Sequence, residues 1–302
     1  MKKLVIFGVG LIGGSVALAL RKTYPELHIV GIGRALQLHD ANLQTAHRLG
    51  VIDEIAIDLS QALHGATLIL IATPVAQTPA ILQSILPHLD KNTVITDAGS
   101  TKADVVEYAI NILGERVNQF VPAHPIAGAE KSGVTAANAA LYVGKNVIIT
   151  PIAGTNPAAI DSVTAMWQAT GAVINQMTPT QHDSIFAAVS HLPHLLAFAL
   201  VEELAARPDA QDFFKFAASG FRDFTRIAGS SPEMWRDISL ANSKALLEEL
   251  SAYQAQLSLI ENLLKNNDSA GLQSLFERAS AARNGWAHQQ VFTDKEQKAD
   301  KQ

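Results

Sequence analysis

The glycine-rich stretch VIFGVGLIGGS near the start of the chain constrains the fold more than any other feature. An apolar run leads into Gly-x-Gly-x-x-Gly, formed by Gly8, Gly10 and Gly13, and a helix-forming segment follows. In this context Gly8 permits a tight turn, Gly10 lets a pyrophosphate approach the backbone, and Gly13 lets helix and strand pack closely. Backbone N–H groups at the helix start, at Leu11 and Ile12, then bind the anion. The stretch predicts a dinucleotide site, with a methyltransferase-type loop or a purely structural turn as the alternatives.

Composition limits the classes of protein that this chain can belong to. Its 302 residues, 48% of them hydrophobic, suffice for two ordinary domains or one large one. A net charge of -5 argues against a nucleic-acid or anionic-membrane surface. The absence of Cys excludes disulfides, thiolate metal sites and Cys nucleophiles. No uninterrupted apolar stretch reaches the roughly 20 residues that span a bilayer. We therefore expect a cytoplasmic protein with neither a nucleic-acid nor a membrane partner.

Strand-like and helix-like segments alternate over the first half of the chain. Strands are predicted at residues 27–32, 68–72, 93–97, 120–123, 147–150 and 172–175. Alternation of strands with helices of this length predicts an α/β fold, a doubly wound parallel sheet of the Rossmann type. Ligands of such sheets bind beyond the carboxyl ends of the strands. Unusual residues stand at three of these ends, and Thr73 with Pro74 at one of them is expected on the cofactor side.

The end of the strand predicted at 27–32 bears on the choice of cofactor. NAD-preferring sites carry an acidic residue here, whereas this chain has Gly33 and then Arg34. A guanidinium can bind a 2′-phosphate that a carboxylate would repel. Arg34 therefore predicts a preference for NADP with NAD still possible, unless it only stacks on adenine.

His124 is the leading candidate for a catalytic base. It ends a predicted strand on the cofactor side, ahead of a Pro and a Gly that fix its loop. A neutral imidazole there could take a proton from a substrate hydroxyl while hydride leaves the same carbon. At the usual histidine pKa of about 6.5, activity would rise with pH through that value. Ser100 could orient the imidazole or the hydroxyl, or it could only cap the helix predicted to start at Lys102.

The second half reads as helical, which gives predicted domains at 1–177 and 178–290 and a charged tail at 291–302. Helices are predicted at 181–204, where Pro193 must bend or interrupt the helix, and at 232–264 and 269–283. A helix of about 30 residues is roughly 45 Å long, more than a small domain needs. We therefore expect a homodimer formed through the C-terminal helices.

Two polar groups in this half call for a ligand or an ion pair. SHLPH at 190–194 places two histidines around a proline, and no nearby carboxylate pattern supports a metal there. Two arginines and an aspartate lie among aromatic residues at 220–227. An anionic substrate between the two domains would need such a guanidinium, although arginines among apolar residues also form ion pairs.

Together the motifs resemble the prephenate/arogenate dehydrogenase family of tyrosine biosynthesis. The most specific are DAGSTK (97–102), HPIAG (124–128), SHLPH (190–194), DFTRIA (223–228) and MWRD (234–237). The likeness covers the chain to about residue 290. It implies a Rossmann domain and a helical dimerisation domain, with the active site between them, that oxidatively decarboxylate a small cyclohexadienol with a nicotinamide cofactor.

The resemblance also implies roles for individual residues. His124 would accept the C4-hydroxyl proton, and Ser100 would bond both that hydroxyl and the imidazole. Arg226 would pair with a substrate carboxylate, with His191 nearby. The surrounding residues would be Asp223, Trp235 and Arg222, the last reaching across the dimer.

Some departures from the family pattern leave questions open. Ala129 stands where many members have threonine, and Glu130 could read the amine that distinguishes arogenate from prephenate, or be a surface charge. A β-hydroxyacid or imine reductase is the alternative enzyme, with Asp183 on the first interdomain helix. A catalytically silent NADP-binding sensor is the alternative outside the enzymes.

Overall fold

The computed structural model describes residues 1–33, 36, 40–129 and 131–299, with the backbone alone for 288–299. Arg34 and Glu130, both predicted site residues, lie outside the described residues. Met1–Leu246 forms one compact unit and Leu247–Gln302 a second. The cavities and the histidine cluster described below all belong to the first unit.

A six-stranded parallel sheet forms the centre of the first half. Its strands are β1 (Lys3–Phe7), β2 (His28–Ile32), β3 (Glu54–Ile55), β4 (Leu68–Ile71), β5 (Val94–Asp97) and β6 (Phe120–Val121). They lie in the order β3-β2-β1-β4-β5-β6, and every pair is parallel. The predicted doubly wound fold is confirmed. Chain order reverses on the two sides of β1, which places the ligand crevice beyond the carboxyl ends of β1 and β4.

The last strands leave this sheet and form a smaller one. Its members are β7 (Ala123–Pro125), β8 (Asn146–Ile149) and β9 (Val173–Gln176). β7 pairs antiparallel with β8, and β8 pairs parallel with β9. The segment predicted as one strand at 120–123 is thus divided at Pro122, which has no N–H to continue a ladder. The change of sheet puts His124 in the middle of a three-residue strand.

Helices cover both faces of the parallel sheet. In the first half they are α1 (Leu11–Thr23), α2 (Ala41–Arg48), α3 (Leu59–Leu63), α4 (Thr78–Ile85), α5 (Ala103–Leu113) and α6 (Pro157–Ala169). Side chains of β1 alternate between the faces: Leu4 and Ile6 pack in one apolar cluster, Val5 and Phe7 in another. Burial on both faces explains why the strand is a continuous apolar run rather than an alternating one.

The second half is helical. Its helices are α7 (Pro179–Phe186), α8 (Leu192–Ala205), α9 (Ala210–Phe216), α10 (Ser219–Thr225), α11 (Pro232–Ala241), α12 (Ser243–Lys265) and α13 (Ser269–Ala299). Thr178 and Gln181 form a capping box at the start of α7. The predicted irregularity near Pro193 is confirmed, because a π-helical turn at Ala187–His191 joins α7 to α8.

The single long helix predicted at 232–264 is wrong. The chain breaks at Asn242, between α11 and α12. The Asn242 side chain is buried and donates to the backbone oxygen of Asp183 at 2.8 Å, so its amide is used for a tertiary contact. The last helix, by contrast, is longer than predicted, since α13 continues to Ala299 and includes most of the segment assigned to a tail.

One helical segment among the described residues, Pro179–Ala205, is long and apolar enough to cross a membrane by length and composition. It contains buried His182 and Asp183, and Asp183 is hydrogen-bonded to the start of α5. Because buried polar side chains of this kind are rare in membrane spans, length and composition are only weak evidence that this segment crosses a membrane.

Candidate active site

The glycine loop between β1 and α1 has three different steric requirements. Gly8 has φ +87°, and a Cβ there would lie 2.7 Å from the Ala72 carbonyl oxygen. A Cβ on Gly13 would lie 2.3 Å from the Gly8 carbonyl oxygen. A Cβ on Gly10 would meet nothing within 4 Å, so the missing side chain there leaves open space. Gly8 and Gly13 are thus required by the fold, and Gly10 is free to serve a ligand.

A cavity of about 660 Å³ lies over this loop. Gly8, Gly10, Leu11 and Ile12 form one wall, and Thr73 and Pro74 contribute to another. No side chain caps the start of α1, which leaves the first N–H groups of that helix for a ligand. An open cradle at an uncapped helix start fits the pyrophosphate of a dinucleotide. These residues therefore fit a nicotinamide dinucleotide.

A second cavity, of about 710 Å³, adjoins the first and shares Gly33, Thr73 and Gln77 with it. Its other walls are mainly apolar. They include Phe7, Ile32, Leu36, Ala80 and Ile81. An apolar slot beside the end of β2 suits an adenine ring, which is flat and weakly polar at its faces.

Asp40 brings a carboxylate to the same strand end. It caps α2 by accepting from the backbone nitrogens of Asn42 and Leu43 through Oδ1, at 2.9 and 3.0 Å. Its Oδ2 would lie 2.7 Å from a Cβ on Gly33, and Asp40 lines the first cavity. Although Asp40 is seven residues from Gly33 in sequence, both residues line the first cavity.

His124 belongs to a chain of three polar side chains. Its Nδ1 is 2.8 Å from Nε2 of His182, and Nδ1 of His182 is 2.7 Å from Oδ1 of Asp183. His124 is half-buried, whereas His182 and Asp183 are buried. Phe186, one turn after His182 on α7, packs against both imidazole rings, with ring centres 5.0 and 4.5 Å away. His124 is therefore the most exposed of these three hydrogen-bonded side chains.

A buried ion pair fixes the strand that carries His124. Lys102 is fully buried, and its ammonium group bonds to the Asp97 carboxylate and to the Ala123 carbonyl oxygen, the latter at 2.9 Å. Asp97 also accepts from the Ala123 backbone nitrogen at 3.0 Å. The end of β5 is thereby tied to the residue that precedes His124. The DAGSTK motif thus fixes the strand that carries His124 through its first and last residues.

Burial keeps the two linked imidazoles neutral. It lowers the pKa of His124 well below the usual 6.5, and His182, Lys102 and His191 act in the same direction. Burial also lowers the pKa of His182, with the hydrogen bond to Asp183 opposing. For Asp183, burial raises the pKa, but hydrogen bonds from His182, Ala103 and Lys102 outweigh it and the pKa falls. The hydrogen-bonded series therefore consists of two neutral imidazoles and one ionised carboxylate.

His191 and Trp235 lie in the same region and are buried. Nδ1 of His191 is 3.1 Å from Nδ2 of Asn242, which also donates to Asp183. Burial lowers the pKa of His191 to about 4, although Asp183 and the Ser100 backbone oppose this. Neither Nε2 of His191 nor Nε1 of Trp235 has a hydrogen bond of normal geometry in the described part of the chain. Buried N–H donors in this state call for an acceptor from a ligand or solvent.

The predicted substrate residues divide into two groups. Arg226 lines the first cavity with the glycine loop, and it lies near enough to His194 to lower the pKa of that imidazole. His194 stacks on Trp235 at 3.6 Å. Arg222 and Asp223 are exposed on α10 and do not line the cavity in the described residues.

Ser100 lies in the loop between β5 and α5, beside His191. The hydrogen bond that the described residues give to the His124 ring comes from His182 rather than from Ser100. The reading of Ser100 as a helix cap is wrong, because α5 starts at Ala103 with no cap from its own preceding residues. Asp183 accepts from the backbone nitrogens of Lys102 and Ala103, both at 2.8 Å, and caps the helix from α7.

Sequence reasoning missed His182 and Asn242, and it considered Asp183 only for a different reaction. The available signal was local: the capping box at Thr178 and Gln181 fixes where α7 begins and therefore where its first-turn residues point. Within the described residues, no group of three His, Cys, Asp or Glu side chains is arranged to hold a metal ion.

Comparison with known proteins gives consistent matches over nearly the whole chain. Residues 16–176 match the family described as prephenate dehydrogenase, nucleotide-binding domain, and residues 178–278 match prephenate dehydrogenase, dimerization domain. Prephenate dehydrogenase of Bacillus subtilis is 38% identical over 284 residues, covering 93% of this chain and 75% of the relative. Cyclohexadienyl dehydrogenase of Zymomonas mobilis is 32% identical, covering 93% and 95%.

Solved structures also match this chain over nearly its whole length. A prephenate dehydrogenase from A. aeolicus, in complex with hydroxyphenyl propionate and NAD+, is 36% identical with a TM-score of 0.83, covering 92% of this chain and 96% of that one. Synechocystis arogenate dehydrogenase is 29% identical with a TM-score of 0.78, covering 94% and 99%.

Proposed function

This chain belongs to the prephenate dehydrogenase family of NAD(P)-dependent oxidoreductases, and from that premise we propose how its own residues carry out the reaction. The reaction is the oxidative decarboxylation of prephenate or arogenate in tyrosine biosynthesis. The single observation that carries the residue assignment is the imidazole of His124, neutral and half-buried at the end of the supported chain of three side chains.

His124 acts as the general base. A bound nicotinamide would supply the acceptor for the hydride that leaves the ring carbon bearing the hydroxyl group. His124 takes the proton of that hydroxyl, so that a carbonyl can form as the hydride leaves. When the ring carboxylate leaves as CO2, its bonding electron pair moves through the ring to the carbonyl oxygen, which takes the proton back from His124. The ring is then aromatic and the reaction is effectively irreversible. The protein therefore has to position the reactants and manage one proton.

The substrate carboxylate pairs with Arg226. The guanidinium lies on the wall of the cavity that also holds the glycine loop, as a substrate beside the nicotinamide requires. Nε2 of His191 and Nε1 of Trp235 are buried and have no hydrogen bond of normal geometry among the described residues, which suits an oxygen-rich substrate. Ser100, whose backbone lies beside His191, is proposed to contact the hydroxyl group. Asp223 and Arg222 remain assigned to the surrounding region, with Arg222 acting across a dimer.

The finer choice of cofactor is proposed to depend on two charged residues that follow β2 in the sequence, Arg34 and Asp40. We propose NADP as the preferred cofactor because Arg34 replaces the acidic residue of NAD-preferring sites. The carboxylate of Asp40 on the cavity wall acts in the opposite direction, since it would repel a 2′-phosphate. Arg34 and Asp40 together set the ratio between the two cofactors. The choice between arogenate and prephenate is assigned to Glu130, whose carboxylate would favour the ammonium group of arogenate.

The protein is proposed to be a homodimer through its C-terminal helices. Its second half matches a dimerization domain family. Large apolar side chains in this half are exposed, among them Val189 at 66%, Phe216 at 78% and Leu240 at 69%. Contact with a second copy would remove such surface from water. We also propose a cytoplasmic enzyme without a membrane or nucleic-acid partner, in keeping with a biosynthetic role and a net charge of -5. The domain boundary near 177 stays a prediction.

The alternative functions are less well supported. A reductase that used Asp183 as its acid would need that carboxylate free, but both oxygens accept backbone N–H groups and one also accepts from His182. A silent sensor would have no use for a supported neutral imidazole.

The test is an absorbance assay for the reduced cofactor that crosses NAD and NADP with prephenate and arogenate. We expect turnover in at least one of the four combinations, with NADP favoured. Binding of cofactor with no turnover in any combination would favour the sensor. Mass measurement in solution by light scattering tests the dimer in the same preparation.

A further inference from the structure

We propose that His182, oriented by Asp183, is a positioning residue that holds His124 in the one tautomer able to act as a base. The inference rests on the proposed role of His124. It assigns a function to the buried pair His182 and Asp183, which do not have to contact the substrate for the reaction to occur.

The argument begins at Asp183, whose hydrogen-bonding roles are fixed. Its Oδ1 accepts from the Lys102 backbone nitrogen and its Oδ2 from the Ala103 backbone nitrogen, both at 2.8 Å. A carboxylate with a lowered pKa is an acceptor only. The partner of Asp183 at 2.7 Å, Nδ1 of His182, must therefore carry the hydrogen.

The same reasoning passes along the chain to His124. A neutral imidazole that donates from Nδ1 has only a lone pair at Nε2. Nε2 of His182 therefore accepts, and its partner at 2.8 Å, Nδ1 of His124, donates. Nε2 of His124 is left with a lone pair, which is the form that takes a proton. In the other tautomer, Nε2 of His124 would carry a hydrogen and could not act as the base.

The neighbouring charged groups favour this direction of donation, from His124 to His182 and from His182 to Asp183. The charged and titratable groups around the two imidazoles are Asp183, Lys102, Asp97 and His191. Lys102 is paired with Asp97, and burial holds the three histidines neutral. When Nε2 of His124 takes the substrate proton, its Nδ1–H still donates to His182. The carboxylate of Asp183, at the other end of the three hydrogen-bonded side chains, stays ionised. No proton has to move through His182.

Two substitutions separate positioning from simple packing. His182→Gln keeps a carbonyl oxygen that can accept from Nδ1 of His124, whereas His182→Leu keeps apolar volume without an acceptor. We expect His182→Leu to lower kcat by about 10- to 100-fold with substrate and cofactor KM values within about twofold of wild type. His182→Gln should recover at least half of that loss on a logarithmic scale. The exposed His64→Leu is the matched control.

A spectroscopic measurement tests the tautomer directly. Nitrogen NMR of 15N-histidine-labelled protein distinguishes ring nitrogens that carry hydrogen from those with a lone pair, and His124→Asn identifies the signals of the base by their loss. We expect wild type to show Nε2 of His124 without hydrogen, and His182→Leu to show a mixture of the two tautomers. An acid limb of kcat that shifts in His182→Leu but not in His64→Leu would support the same conclusion.

The outcomes distinguish this inference from the proposed function. If His124→Asn abolishes turnover while folded His182→Leu keeps wild-type kcat, the base assignment stands and the positioning role is overturned. If wild-type Nε2 of His124 carries hydrogen, the positioning role is likewise overturned. If His124→Asn turns over normally, the base assignment itself is lost.

Discussion

The carboxylate of Asp183, on α7, lies 2.8 Å from the backbone nitrogen of Ala103 and so caps a helix that begins 80 residues earlier in the chain. One residue of the helical half thus completes an element of the nucleotide-binding half and also holds His182. Asp183→Ala should lower the free energy of unfolding by about 3 kcal/mol, because it leaves buried N–H groups without acceptors. Urea unfolding measures this. Asp58→Ala, which removes the cap of α3 at the surface, should cost only about 1 kcal/mol, and equal losses would contradict the buried role.

Gly10 and Gly13 should respond differently to the same substitution. Gly10→Ala adds a methyl group to open space, so the protein should fold with wild-type stability but bind the dinucleotide at least tenfold more weakly. Gly13→Ala forces contact with the Gly8 carbonyl oxygen and should lower the melting temperature. Calorimetry for cofactor binding and thermal unfolding separate the two effects. Wild-type affinity in Gly10→Ala would remove the pyrophosphate from this part of the loop.

Arg34 and Asp40, which follow β2 in the sequence, should shift the cofactor ratio in opposite directions. Arg34→Ala should lower the ratio of kcat/KM for NADP over NAD by about tenfold, because one charge-assisted contact is lost. Asp40→Asn should raise the same ratio, and its amide oxygen can still cap α2. Equal effects on both cofactors in Arg34→Ala would mean that the arginine only stacks on adenine.

Arg226→Ala should act mainly on substrate binding. Loss of a charge-assisted contact to a carboxylate corresponds to a rise in KM of about 10- to 100-fold, with a smaller fall in kcat. Arg226→Lys should recover only part of this, since an ammonium cannot form the paired contact. Steady-state kinetics at saturating cofactor measure both constants. Unchanged substrate KM in Arg226→Ala would remove the carboxylate from this wall of the cavity, and Arg222→Ala tests the guanidinium outside it.

His191 should make the folded protein sensitive to acid. Its pKa is about 4 when folded and about 6.5 when unfolded, so between these values the unfolded chain binds more protons. Its contribution is fully present above pH 6.5 and is lost as pH falls toward 4, by about 1.4 kcal/mol per pH unit at most. The free energy of unfolding, measured with urea at pH values from 7 to 5, should therefore change less per pH unit in His191→Asn than in wild type. The exposed His64→Asn should keep the wild-type slope.

The same burial alters the expectation for activity. A histidine with its usual pKa would give a rate that rises through pH 6.5, but burial lowers the pKa of His124 well below that value. The acid limb of kcat should therefore lie below pH 6.5, which a rate profile extended to low pH would locate.

The parts of the fold that depend on local pattern could be predicted from sequence. The glycine loop, the strands of the parallel sheet and the capping of α7 each follow from neighbouring residues, and the structure has them within a residue or two. The two-residue strand β3 was too short for any periodicity to reveal it.

Relationships between distant residues could not be predicted in this way. Asn242 looks like one more polar position in a long helix, and only its bonds to Asp183 and His191 explain the break. His182 gives no sign in the sequence that its ring meets His124, 58 residues away. The sequence pattern singled out His124 and the likeness to a family singled out Arg226, but neither indicated the side chains that pack against them.

The capping of α5 from α7 limits how this protein can be dissected. A fragment that stopped at residue 177 would keep every glycine of the loop and every strand of both sheets, yet α5 would begin without Asp183 and His124 would stand beside empty space instead of His182. Measurements of nucleotide affinity on such a fragment would report on a damaged neighbourhood. The smallest fragment that keeps the surroundings of His124 intact has to extend past Asn242.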